Sequence, residues 1–346
     1  MSKDKICGVP FYSLSLSADH SLINGPIMSK VCCPEWLKPP YNSFRMPVHE
    51  DGSGFIDLDS LWNSDKMVTF RKSIADGSYS FCNTEICPSY LLNTLCPLPE
   101  RAKELIDQGI YEMDYPPMNV EANIDRACNL SCPSCRKTTF NTPDPRSYPR
   151  LKSILSSGVE NVFINGTGEL FKNQYLLKAL NEVTSELYPN LKSFKIITNG
   201  TLLNKTMWAS LSEGFKSLIS RLHVSVDAAS EQTYRKIRVG GNFNRLLDNL
   251  KLIGTLKKEK KIKFFTMAIV LQKANVHELL DFLKLAAQVG ADCVTIVKIG
   301  YWYTCPIQEF QDTMALPEGW EVTYKDLVDE ARAFAADNDI YLFSNI

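Results

Sequence analysis

Three cysteines, Cys128, Cys132 and Cys135, stand in a Cys-x3-Cys-x2-Cys run on one short segment. Thiolates at this spacing suit three irons of a [4Fe–4S] cube. The fourth iron is left without a protein ligand, and that open corner can chelate a small molecule through an amino and a carboxylate group. The competing use of such a run is a structural zinc site, which wants a fourth ligand from elsewhere in the chain. The chain has eleven cysteines, nine of them within the first 135 residues. Metal or cluster ligation explains that crowding better than disulfides do in a reducing compartment.

Further polar motifs follow the cysteine run. Asn165-Gly166-Thr167-Gly168-Glu169 offers glycines that let backbone approach a ligand closely, and a carboxylate that can accept from an ammonium group. Ile197-Thr198-Asn199-Gly200 and Ser225-Val226-Asp227 each end a β-rich run. Arg238 comes soon after, in Arg238-Val239-Gly240-Gly241-Asn242-Phe243. A guanidinium suits a carboxylate through paired hydrogen bonds. Arg235 competes with Arg238 for that role, and the motif favours Arg238. Plain turns and a helix cap are the alternative uses of the Asn-Gly pair and of Asp227.

These motifs need elements to hold them. Short β-rich runs occur at 120–124, 162–164, 194–197, 222–226, 264–270 and 293–297. Helical patterns separate them, notably Asn173–Leu187, Phe243–Lys258 and Val276–Val289. Alternating strand and helix predicts right-handed βαβ units and a parallel sheet. Six units fall short of the eight of a full barrel, so the expected α/β fold is a partial (β/α)6 TIM-like barrel. The cysteine run and the motifs at Glu169, Asn199 and Asp227 then all fall at carboxyl ends of strands, the face where such barrels build their sites. The expected divisions are an irregular, cysteine-rich domain over 1–118, the barrel over 119–300, and an extension over 301–346. Helices are expected at Leu58–Ala75 and Arg101–Gln108 in the first, and near Thr323–Ala335 in the last.

The cysteine run at the end of the first barrel strand resembles the signature of the radical S-adenosylmethionine superfamily. The resemblance implies that Cys128, Cys132 and Cys135 hold a [4Fe–4S] cluster whose open iron chelates the methionine end of S-adenosylmethionine. Reduction of the sulfonium then yields a 5′-deoxyadenosyl radical that attacks substrate. Ser134 departs from the aromatic residue often found before the last cysteine. The resemblance assigns cofactor binding to Gly166, Gly168, Glu169, Asn199, Ser225, Asp227 and Arg238, with Ser225 and Arg238 on the cofactor carboxylate. It also implies an electron donor such as flavodoxin or ferredoxin.

The N-terminal cysteines resemble the SPASM or twitch auxiliary-cluster region, here placed before the barrel. That implies one auxiliary [4Fe–4S] cluster on Cys7, Cys82, Cys87 and one of Cys32 or Cys33, with Cys96 as a spare or alternative ligand. Cys305, beyond the last strand, is the candidate hydrogen-atom donor, whereas Cys293 reads as core. The four histidines show no ligand spacing.

Lys and Arg total 38 against 39 Asp and Glu, so no one-sign field recruits nucleic acid or an anionic membrane. No apolar run is long enough to span a bilayer, and no signal peptide is evident, so a cytoplasmic location is expected. The expected function is hydrogen abstraction from a peptide or protein, leading to oxidation, cross-linking or epimerisation. The alternatives are the same chemistry on a sugar or aminoglycoside, and a non-catalytic iron–sulfur or zinc protein.

Overall fold

The computed structural model describes residues 6–18, 27–32, 36–39, 45–136, 140–165, 168–301 and 304–344. The fold is α/β, of the partial TIM-like barrel class. It divides into two compact units. One comprises Met1–Arg126, Asp144–Thr167 and Val183–Ser193; the other comprises Ala127–Pro143, Gly168–Glu182 and Phe194–Ile346.

The first unit contains β1 (Ser13–Ala18), β2 (Ile27–Lys30), β3 (Arg45–Pro47), β4 (Asn119–Asn123) and β5 (Asn161–Ile164), in the order β5-β4-β1-β2-β3. Strand β4 runs parallel to β5 and to β1, while β2 is antiparallel to both of its neighbours. The β1–β4 register starts at Ser13↔Asn119. Backbone hydrogen bonds therefore cross the boundary drawn at residue 118. Strand β1 earns its place by alternation: Leu14 and Leu16 are buried between serines.

The single helix expected over Leu58–Ala75 is two, Leu58–Trp62 and Asp65–Ala75. Asn63 makes the break. Its amide Nδ2 donates to the Met113 carbonyl at 2.9 Å, and its Oδ1 accepts from Met113 N at 2.9 Å and Arg71 Nη1 at 3.1 Å. Arg71 is also buried against the Trp62 ring, 4.1 Å from its centroid.

A second buried cation sits on the helix Ser147–Ser156. Arg150 donates to both carboxylate oxygens of Glu50 at 2.9 Å, to Asp144 Oδ2 at 3.0 Å and to the Ile124 carbonyl at 3.1 Å. A fork with two carboxylates offsets the desolvation of the guanidinium.

The second unit contains β6 (Ser193–Thr198), β7 (Ile219–Ser225), β8 (Phe264–Leu271), β9 (Cys293–Lys298) and β10 (Tyr341–Ser344). They lie in the order β10-β9-β8-β7-β6, all parallel. Strand β10 pairs Tyr341 with Cys293, so the segment after 300 extends this sheet. Helices Glu231–Ile237, Phe243–Lys258 and Leu279–Val289 connect the strands.

Side chains alternate across the strands. Phe194, Ile196, Leu222, Val224, Phe265, Met267, Val294 and Ile296 occupy one face and are buried. The registers bring Lys195, Arg221, His223, Ser225, Thr266, Cys293 and Thr295 to the opposite face. Among the described residues, no helix is long and apolar enough to cross a membrane.

Replacing Arg150 by Met keeps the volume and strands two buried carboxylates. Denaturant unfolding is expected to show a loss of about 3–5 kcal/mol, whereas Arg101→Met, on an exposed ion pair, is expected to cost under about 1 kcal/mol.

Candidate active site

The cysteine loop of the second unit is pinned by backbone bonds at its start and its middle. Cys128 N donates to the Phe140 carbonyl at 2.8 Å, and Ser131 N donates to the Val239 carbonyl at 2.9 Å. Cys128 and Cys132 are buried and Cys135 is exposed. Each of the three sulfurs accepts from an N–H donor. Leu130 N reaches Cys128 Sγ at 3.4 Å, and Asn199 Nδ2 reaches it at 3.8 Å. Arg238 Nη1 reaches Cys132 Sγ at 3.8 Å, and Arg136 Nη2 reaches Cys135 Sγ at 3.6 Å. Burial pushes the Cys128 and Cys132 thiols up, while the Leu130 N–H and the Arg238 cation respectively pull the other way.

Arg238 is the centre of the charge arrangement. Burial works against its charge, but Asp227 and Cys132 beside it hold its pKa above the ordinary value. Its Nη2 pairs with Asp227 Oδ2 at 2.7 Å. Its Nε is buried with no hydrogen-bond partner, and so is the Tyr234 hydroxyl, one helical turn earlier on Glu231–Ile237. Tyr234 lies within electrostatic reach of Arg238, Cys132 and Asp227. Arg235 instead faces solvent and pairs with Glu231 at 3.9 Å.

Asp227 has a left-handed backbone, φ 65°, a conformation that Asp and Asn adopt more readily than other residues with a side chain. Its Oδ1 accepts from Val270 N at 2.7 Å, and its carbonyl accepts from Asn275 Nδ2 at 2.9 Å. Asp227 thus aims Arg238; the cap of the following helix is Ser230, which accepts from Thr233 N at 3.3 Å. Ser225 ends β7 opposite Ala268.

Glu169 is buried, and desolvation raises its carboxyl pKa. Its oxygens accept from Asn199 N at 2.7 Å, Thr198 Oγ1 at 2.7 Å and Phe171 N at 3.2 Å. It therefore fixes the end of β6 and the loop carrying Asn199. Asn199 Nδ2 also donates to Asn129 Oδ1 at 2.9 Å, and its Oδ1 accepts from Thr201 Oγ1 at 2.6 Å. Gly200 has φ 73°, and a Cβ there would meet Val224 Cγ1 at 2.7 Å, so the turn admits only glycine without a shift. Gly168 is half-buried beside Glu169, and Gly166 lies outside the described residues.

The structure thus gathers Cys128, Cys132, Glu169, Asn199, Asp227 and Arg238 into linked networks. Two members carried no motif of their own in the sequence. Asn129 lies inside the cysteine spacing, and Tyr234 is signalled only by its i, i+4 relation to Arg238.

The contacts of Cys305 lie elsewhere. It packs on the small apolar cluster of Ile299, Phe310 and Met314, and its carbonyl accepts from the Tyr301 hydroxyl at 2.9 Å. Cys293 is buried in β9. In the first unit Cys7, Cys82, Cys87 and Cys96 are half-buried free thiols, Cys32 is half-buried, and Cys33 lies outside the described residues. Burial pushes the Cys7 thiol up to about 11 and the Cys82 thiol up to about 12.

The model of the Radical SAM superfamily matches residues 122–286. A GTP 3',8-cyclase of Limosilactobacillus fermentum is 28% identical over 52% of this chain and 53% of its own. The GTP 3',8-cyclase of Lactiplantibacillus plantarum is 30% identical over 52% of this chain and 54% of its own. The chain therefore spans about half the length of the curated relatives it matches. Among solved structures, SuiB of Streptococcus suis bound to S-adenosylmethionine aligns over 87% of this chain and 67% of its own, with a TM-score of 0.49 and 14% identity.

The relatives' name corrects one expectation. It puts a nucleotide in their reaction, so the reading of hydrogen abstraction from a peptide or protein does not stand. The chain carries a Radical SAM superfamily domain over residues 122–286, the stretch that includes the cysteine loop.

Proposed function

We propose that this chain is a radical S-adenosylmethionine enzyme acting on a nucleotide, with guanosine triphosphate as the first substrate to test. The observation that carries the reading is the match of half the chain to relatives named GTP 3',8-cyclase. The polar face of the second unit's sheet supports it. Lys195 and Arg221 are register partners there, and two adjacent cations suit a polyphosphate.

The residues fit the family's [4Fe–4S] cluster and S-adenosylmethionine. Three thiols each receive an N–H donor, which offsets negative charge on sulfur. Two buried polar groups near Cys132, Arg238 Nε and the Tyr234 hydroxyl, lack partners. A cofactor carboxylate supplies what they lack. When bound, the cluster and cofactor supply a 5′-deoxyadenosyl radical that takes a hydrogen atom from substrate.

The chain's own residues do the positioning. Cys128, Cys132 and Cys135 hold three irons. Arg238 binds the carboxylate and Asp227 aims it. Glu169 orders the Asn199 loop against Cys128. A donor of the flavodoxin or ferredoxin class delivers the electron.

Anaerobically reconstituted protein, reduced and given GTP deuterated on the ribose, is expected to form 5′-deoxyadenosine carrying deuterium. Product without label, or at a rate indifferent to GTP, contradicts the nucleotide reading. No 5′-deoxyadenosine at all contradicts the radical reading. Arg221→Ala is expected to raise the KM for GTP about tenfold, the loss of one charged hydrogen bond, with kcat changed far less. Arg238→Lys keeps a charge beside Asp227 but removes Nε. Equilibrium binding is expected to show the cofactor Kd raised about tenfold at unchanged iron content.

A further inference from the structure

In the first unit β1, β4 and β5 run parallel, and side chains alternate across them. Leu14, Leu16, Val120, Ala122, Val162 and Ile164 are buried on one face. The opposite face is largely polar. Register there pairs Ser15 with Glu121, Ser17 with Asn123, and Glu121 with Phe163. Asn123 is the last residue of β4, and Asn165 directly follows β5. Both therefore stand at carboxyl ends of strands, the end at which parallel sheets bind ligands.

Glu121 ties the two amides together. Its Oε1 accepts from Asn123 Nδ2 at 3.2 Å, and from Asn165 Nδ2 as well. Only the nitrogen end of an amide donates, so the carboxylate settles how Asn123 is turned and leaves its oxygen as the free end. That Oδ1 is buried without a hydrogen-bond partner, in a residue only 8% exposed. Among the described residues, Glu121 Oε2 accepts no bond and no cation pairs with the carboxylate. Two touching side chains thus hold two unanswered oxygen acceptors. A buried oxygen left unpaired carries the cost of its lost water, so a ligand that donates to it is favoured.

Phe163 narrows the class of ligand. Its half-buried ring stands beside Glu121 on the neighbouring strand. A ring next to a carboxylate suits a planar heterocycle, which stacks on the one and turns its N–H edge to the other. Guanine has the matching edge, with N1–H and the 2-amino group as adjacent donors. Adenine offers one donor beside an acceptor, and hypoxanthine offers N1–H without the amino group.

We propose, resting on the nucleotide reading above, that Glu121 and Asn123 bind a guanine base. Glu121 Oε2 and Asn123 Oδ1 accept from its N1–H and 2-amino groups between them, and Glu121 sets the choice of base.

Equilibrium binding to full-length, anaerobically reconstituted protein tests this, with S-adenosylmethionine present and no reductant, so that nothing turns over. GTP is expected to bind about tenfold or more tightly than inosine triphosphate, which lacks the 2-amino group, and more tightly again than ATP. That comparison needs no variant and stands even where a substitution disturbs folding. In Glu121→Gln the amide oxygen stays where Asn123 and Asn165 donate, and the amide nitrogen takes the place of Oε2, donor against donor. GTP affinity is expected to fall about tenfold or more, and its preference over inosine triphosphate to shrink below about twofold, at unchanged iron content and cofactor Kd. Argininamide carries paired N–H donors on a cation and is expected not to displace GTP at equal concentration. GTP and inosine triphosphate bound alike, a preference that survives Glu121→Gln, or displacement by argininamide would each overturn the assignment and leave the nucleotide reading standing. Failure of all three nucleotides to bind would overturn both.

Discussion

The largely buried cation of Arg238 is the constraint on which the second unit's site is built. A guanidinium removed from water is costly unless its charge and its donors are answered. Asp227 answers one edge at 2.7 Å and the Cys132 sulfur answers another at 3.8 Å. Asp227 holds that position on a left-handed backbone, φ 65°. Asn275 holds the turn, donating to the Asp227 and Val270 carbonyls, both at 2.9 Å. One sulfur and one carboxylate are thus committed to a cation that still has a donor to spare.

A second network answers the other buried thiol. Glu169 ties Thr198 and Asn199 at the end of β6, and Asn199 in turn reaches Asn129 and Cys128. Low dielectric strengthens every bond in such a network and raises the cost of leaving one unmade. The two networks start from different strand ends and meet on the cysteine loop. A loop so held presents its sulfurs in a fixed arrangement, which suits a cluster bound by only three protein ligands.

Where hydrophobic period and length agreed, the elements were legible from sequence. The helix Phe243–Lys258 and the strands β8 and β9 lie where their patterns put them. Side-chain hydrogen bonds to distant backbone were not legible. Asn63 breaks one helical pattern by bonding Met113, fifty residues away. Asn181 ends Gln174–Asn181 well before Leu187, its side chain bonded to Ser210 and Ser212. In the site, the cysteines and Arg238 stood out because their types and spacing carry chemistry. Tyr234 did not, because a tyrosine on a helix reads as packing until its hydroxyl is seen to be buried without a partner. Nor does a barrel motif encode its substrate: the nucleotide reading rests on the name of the relatives.

The central claim is that the Cys128 loop leaves one iron open to the cofactor. Electron paramagnetic resonance of the reduced, reconstituted protein with and without S-adenosylmethionine tests it most directly. A cluster signal that shifts on adding the cofactor, and vanishes with Cys132→Ala, is the predicted result. A spectrum unmoved by the cofactor, or a shifting signal that survives Cys132→Ala, would contradict the account.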